Sequence, residues 1–327
     1  MTSESVSMRS YVVRRILEAF PLIFGVIFLT FMIIHIAPGD PVFILAGEGA
    51  SPEYIDRVRE YLGMNKSLLE QFFMYMGAVL RGDLGYSFMF RQPVLQLVLQ
   101  RIPATLLLMG AAIAISSTVG VILGVFSSKR PYSLQDSLTT SISLFGYSLP
   151  VFWLAQILLL IFAITLGWFP THGMFSAREE LTEIENVLDV VHHLTLPALA
   201  LAMSNLALIT RLTRASMLEV LRQDFITSAW AKGLDEKSVL YRHAFRNALL
   251  PVVTMLGLNV GMMLTGAVLT ETVFGWPGLG RLMYEAINTR DYPVLMGNFI
   301  IVSVSVVSVN LVTDLVYALL DPRIRHM

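Results

Sequence analysis

Three groups of residues in this 327-residue chain have types and spacings that could do chemistry. His192 and His193 stand side by side, with His172 upstream and Glu179, Glu180, Glu183, Glu185 and Asp189 between them. That invites metal ligation, yet adjacent histidines seldom hold one ion without further partners at set spacing, so no metal is expected. Ser148 follows Gly146-Tyr147 inside an apolar run, as a membrane-embedded serine nucleophile would. Such a nucleophile needs a histidine base on a neighbouring span. The six histidines stand at 35, 172, 192, 193, 243 and 326, none inside a later apolar segment. Asp314 lies in the last apolar run, about two turns before Asp321-Pro322. A carboxylate there is either a functional group or half of an ion pair, with Arg211 or Arg214 as partner. No Gly-x-x-x-x-Gly-Lys-Ser/Thr phosphate loop occurs, so any ATP used is hydrolysed on another subunit. No catalytic residue is assigned, and the chain reads as a non-enzyme.

The elements that must position these residues are membrane helices. Hydrophobic residues make up 55% of the chain and charged ones 14%, against about 25% charged in soluble proteins. There is no cysteine, which removes disulfides, thiolate metal sites and cysteine nucleophiles together. Six apolar segments approach or exceed the length needed to cross a hydrocarbon core, at roughly 16–36, 104–126, 138–165, 195–215, 249–270 and 295–320. Lys and Arg gather at the N-terminus (Arg9, Arg14, Arg15), in the 127–137 loop (Lys129, Arg130), in 211–248 and in the tail (Arg323, Arg325). By the positive-inside rule these connections are cytoplasmic. The fold class expected is an all-α integral membrane protein with six transmembrane helices and both termini in the cytoplasm. Its parts are 1–100, holding the first span and a long external segment, a five-helix core over 101–320, and the tail 321–327.

Between two apolar runs lies the polar stretch Arg211 to Pro251. Leu218, Leu221, Phe225 and Ala229 form a helical stripe, Gly233 ends that helix, and Asp235 with Glu236 starts another on which Arg242 and Arg246 share a face. The result is a helix, Gly turn, helix knob, which is either a working surface or a basic loop that only fixes topology. In the external segment, Ser51-Pro52-Glu53 starts a helix that Gly63 stops, a second runs over about 66–80, and Arg81 to Gly85 is turn-rich. That segment is either a docking surface or a cap on the bundle. Span two is rich in small residues; Ser116 and its neighbours serve close helix packing or line a path. Gln156, Asn205 and Asn259 must face protein or water. Phe274 to Gly280 (Phe-Gly-Trp-Pro-Gly-Leu-Gly) reads as a rigid external tip presenting aromatic rings.

Taken jointly, several stretches resemble one family, the membrane-spanning permease subunits of binding-protein-dependent ABC importers, in the B-type of the dipeptide, oligopeptide and nickel branch. They are His35-Ile-Ala-Pro-Gly-Asp-Pro41, Gly82-Asp-Leu-Gly85, Arg101-Ile-Pro-Ala-Thr105, Ala231-Lys-Gly-Leu234, Arg242-His-Ala-Phe-Arg-Asn-Ala-Leu-Leu-Pro251, Phe274 to Gly280, and Asp314 with Asp321-Pro-Arg-Ile-Arg325. The resemblance implies a type I ABC importer-like fold and a knob that docks in a groove of an ATP-binding subunit. The positions implied are Phe225, Thr227, Ser228, Ala229, Lys232 and Gly233. Thr227-Ser228-Ala229 stands where the Glu-Ala-Ala that names the family's docking loop would be. It also implies partners: a homologous second permease, two ATPase subunits that use ATP and Mg, and an extracytoplasmic binding protein. Docking of that protein falls on 37–103 and on the loop with Phe274, Trp276, Pro277, Gly278, Leu279 and Gly280. Ser116, Asn205, Asn259 and Asp314 are the polar candidates for the path or for packing. Peptides are the cargo the resemblance favours, with nickel, glutathione or oligosaccharides as alternatives. A self-sufficient secondary transporter or channel is the competing class.

Overall fold

The computed structural model describes residues 8–36, 51–61, 65–87, 89–176 and 182–320, and their side chains except at 8–16, 33–34, 54–55, 57–58, 61, 258–262, 264–266 and 314–320. Helices dominate: α1 (Met8–Ile36), α2 (Pro52–Tyr61), α3 (Leu68–Leu80), α4 (Val94–Ser128), α5 (Leu134–Ser148), α6 (Val151–Leu158), α7 (Glu183–Val220), α8 (Asp224–Ala231), α9 (Arg246–Phe274), α10 (Leu279–Thr289) and α11 (Tyr292–Leu320). Two π-helical stretches, Leu159–Thr165 and Ser238–Phe245, continue α6 and lead into α9. One short antiparallel hairpin, β1 (Tyr86–Ser87) with β2 (Gln92–Pro93), precedes α4. The chain divides into two compact units, one drawn from 1–102 with 282–311 and the other from 103–281 with 312–325.

In the first unit α1 and α3 meet through aromatic rings. Phe72 is buried, with Phe24, Phe28 and Phe31 edge-on to it at centroid distances of 5.8, 5.5 and 5.5 Å. Edge-to-face pairs of this kind add to the burial itself. Ser67 starts α3 with a capping box: its hydroxyl accepts from Glu70 N, and the Glu70 carboxylate accepts from Ser67 N. The helices expected after Ser51 and over 66–80 are therefore present, and Gly82 and Gly85 supply left-handed turns after α3 at φ +81° and +88°. Gly63 lies outside the described residues. The hairpin is pinned by buried Ser87, whose hydroxyl donates to Asp291 Oδ2 at 2.5 Å.

In the second unit α4 and α7 approach closely where α4 carries glycine. A Cβ at Gly120 would collide with Ile209, and one at Gly124 with Thr213 and the Thr210 carbonyl. Ser116, one turn earlier, is buried. The segment expected as a single span over 138–165 is instead two helices bent by 100°. Proline disfavours the helical region for the residue before it, and Leu149, ahead of Pro150, is extended at ψ 133°. Large apolar side chains such as Ile122, Ile142 and Phe145 stand fully outward, as lipid-facing residues do. Among the described residues α4, α7 and α11 are long and apolar enough to cross a bilayer, and the bent pair makes up to four spans.

Candidate functional site

The knob is built where α7 ends. Gln223 is extended at ψ 151° and breaks the helix; Asp224 then opens α8, where a carboxylate favours the helix N-terminus. That break shifts the helical phase. The inward stripe of α8 is Ile226 and Ala229, 1% and 5% exposed, set among Val125, Met217, Val220, Val239, Leu240, Ala244 and Ala248. Phe225, expected on the apolar stripe and among the docking positions, is turned outward, whereas Ala229, expected in both places too, is an inward anchor as the stripe requires. Phe225, Thr227, Ser228, Lys232 and Gly233 are all exposed. So is Trp230, which the stripe of a continuous helix did not bring forward. Its signal was available: Gln223-Asp224 before an apolar run is a helix restart.

Gly233 closes α8 in a left-handed conformation at φ +76°. Its N–H reaches Trp230 O at 2.9 Å and Leu234 N–H reaches Ala229 O at 3.4 Å, the two bonds of a Schellman motif. Leu234 then packs against the cluster under α8. Asp235 caps the next turn by accepting from Ser238 N at 3.2 Å. The knob is thus a short, capped helix held on an apolar bed, with its outer face in solvent.

The Phe274 to Gly280 turn is not a presented tip. Phe274, Trp276 and Leu279 are 2%, 0% and 5% exposed, and Gly278 and Gly280 are buried, which corrects the expectation of exposed rings. The cause is Glu271, itself fully buried. Its carboxylate accepts from Thr105 Oγ1 at 2.7 Å, Gly280 N at 2.7 Å and Arg281 N at 3.1 Å. Thr105 Oγ1 in turn accepts from Leu279 N, and Trp276 Nε1 donates to Ala104 O, each at 2.8 Å. A Cβ at Gly278 would fall on the carboxylate, so glycine is required there. Pro277 lies within this buried turn between Trp276 and Gly278. The loop 167–176 lies over it, through Gly173 N to Phe274 O at 2.9 Å, and there Trp168 and Phe175 are the outward rings.

The remaining candidates separate. Ser116 bonds back to Ile113 O at 3.3 Å, and Asn205 donates to Ser204 Oγ at 3.2 Å. The side chains of Asn259 and Asp314 lie outside the described residues. Arg214, one of two partners expected for Asp314, is engaged by Asp136. His192 bonds Trp168 O at 2.7 Å and His193 bonds Asp189 O at 2.8 Å, so the pair serves two different carbonyls.

A capped helix on the polar face of a small-residue helical bundle, with no nucleotide-binding loop of its own, fits a transport subunit driven from outside. Residues 117–326 match the family described as binding-protein-dependent transport system inner membrane component, and residues 8–109 match its N-terminal part. The chain belongs to this family. It is 42% identical to a Pseudomonas aeruginosa di/tripeptide transport system permease protein over 98% of this chain and 99% of that one. It is 40% identical to an oligopeptide transport system permease of Bacillus subtilis (98% and 100%) and to a dipeptide transport system permease of Escherichia coli K12 (98% and 99%). A chain from inward-facing structures of the MetNI methionine ABC transporter superposes with a TM-score of 0.53 at 13% identity, covering 69% of this chain and 97% of that one. This permease therefore shares its fold with an ABC importer of known structure, and it is a multi-pass inner-membrane component of a binding-protein-dependent transport system.

Proposed function

We propose that this permease forms half of the translocation path of an ATP-driven importer of dipeptides or oligopeptides. It crosses the membrane six times with both termini in the cytoplasm, beside a homologous second permease, and two ATPase subunits hydrolyse MgATP beneath it. The observation that carries the reading is α8: a Gly-capped helix, anchored by Ile226 and Ala229, offering Phe225, Trp230, Thr227, Ser228 and Lys232 to a partner. Rings on a rigid base suit a groove, because their conformational cost on docking is small. Motion of a soluble motor would pass through this lever into α7 and α9. The binding protein docks on the external segment 37–103 and on the loop 167–176, which the buried Phe274 to Gly280 turn holds in place.

Copurification tests the class: a P-loop ATPase should accompany the tagged permease, and solute flux through the permease alone without nucleotide would overturn the reading. Gly233→Val is sharper. A β-branched residue at φ +76° costs about 1–3 kcal/mol of strain, so the helix end should shift and ATP hydrolysis should part from uptake. Mass spectrometry of ligand retained by the cognate binding protein decides the cargo; nickel, glutathione or an oligosaccharide there would displace peptides.

A further inference from the structure

The lever has a second attachment that the docking surface does not explain. Asp136, in the first turn of α5, is 4% exposed, and Arg214 of α7 grips it with two parallel bonds, Nε to Oδ1 and Nη2 to Oδ2, both 2.6 Å. The same carboxylate accepts from the Ser127 hydroxyl at the end of α4 and from Tyr132 N at 2.7 Å in the loop between. Tyr132 is held there at φ +63°, a conformation a non-glycine residue keeps only when its surroundings over-determine it. One carboxylate thus joins α4, the 129–133 loop, α5 and α7. Beside it, Lys129 Nζ lies 3.2 Å from Tyr241 Oη on the π-helical stretch after α8.

The rest of the α5 contact is made through small residues. The buried residues of α5 are Asp136, Ser143 and Gly146, two of them small and none large and apolar. The ends of α4, α7 and α8 and the start of α9 share one apolar cluster, to which no residue of α5 belongs among those described. Small residues let α5 and α7 approach closely, and the bidentate arginine–carboxylate pair adds a directional contact with one geometry. Arg214 lies less than two turns before the end of α7, so displacement of α8 reaches it along a continuous helix.

We propose that Asp136 and Arg214 are positioning residues that fix the register of α5 on α7, so that a stroke at α8 drives the bent α5–α6 pair together with α7. This rests on the reading of α8 as the ATPase contact. The pair stays closed through the cycle and acts as a strut.

The test uses the whole complex in nanodiscs with its liganded binding protein as isolated from cells, and reads phosphate release with and without that protein. Asp136→Asn keeps the shape and removes the charge that Arg214 grips. Assembly and basal hydrolysis should stay within twofold, while stimulation by the binding protein falls at least fivefold. Arg214→Lys, which reaches a single carboxylate oxygen, should assemble even if Asp136→Asn does not, and should lower stimulation at least twofold. Stimulation unchanged in the variants that assemble, or basal and stimulated rates falling in proportion, overturns the strut. A wild-type complex that is not stimulated overturns the ATPase reading and the strut with it; a stimulated wild type with equally stimulated variants overturns the strut alone.

Discussion

Replacing Glu271 with alanine removes the acceptor around which the 271–281 turn is wound. Gly280 N–H and Arg281 N–H, both at the start of α10, lose their partner, as does the hydroxyl of Thr105. A buried donor left without an acceptor costs about 1–3 kcal/mol, and the hydroxyl can rotate to a new partner where an amide cannot. Two stranded amides therefore cost about 2–6 kcal/mol. Relief from burying a carboxylate offsets part of this, and the void adds to it, so a net loss of about 3–5 kcal/mol is expected. Thr105→Ala takes one acceptor from Leu279 N–H and removes one bond to Glu271, for about 1–3 kcal/mol. Because the two residues share one network, the double variant should be less destabilised than the sum of the singles, by at least about 0.5 kcal/mol. Reversible unfolding in mixed SDS micelles, followed by tryptophan emission, measures all three, and Trp276 reports directly because its ring is buried beside the network. A loss under about 1 kcal/mol for Glu271→Ala, or strict additivity, would refute the assignment of the turn to this carboxylate.

Three further outcomes follow from burial and contact. Gly124→Val should destabilise by at least about 2 kcal/mol, since its side chain meets the Thr210 backbone, whereas Gly110→Ala in the same helix has open space and should be neutral or stabilising by up to about 1 kcal/mol; the same micelle titration compares them. Ile226→Ala should cost about 2–5 kcal/mol by emptying the bed of α8, and hydrogen exchange should rise in 224–231 first. Trp230→Ala leaves the fold intact, because the ring is outward, yet should weaken capture of the ATPase subunit at least fivefold in a pull-down titration; unchanged capture would remove Trp230 from the docking face.

How far the knob could be foreseen is clear from its parts. Gly233, Asp235 and the polar run between apolar segments are local signals, and the Schellman cap and the Asp235 cap both stand where those signals put them. Of the apolar stripe, Leu221 and Ala229 do pack inward, but Phe225 does not, because a 3.6-residue stripe assumes one unbroken helix and the extended Gln223 resets the phase. Pro150 likewise carried a local message, the break between α5 and α6, that an apolar run conceals.

Composition, the spacing of apolar runs and the family stretches determined that this is a helical membrane permease with a Gly-capped knob, because hydrophobicity and backbone restriction act residue by residue. Only tertiary structure decided that Phe274 and Trp276 face inward, that Glu271 holds their turn, and that Asp136 meets Arg214. Those facts join residues up to 174 positions apart, as with Leu279 and Thr105, and no local pattern says which buried polar group will satisfy which.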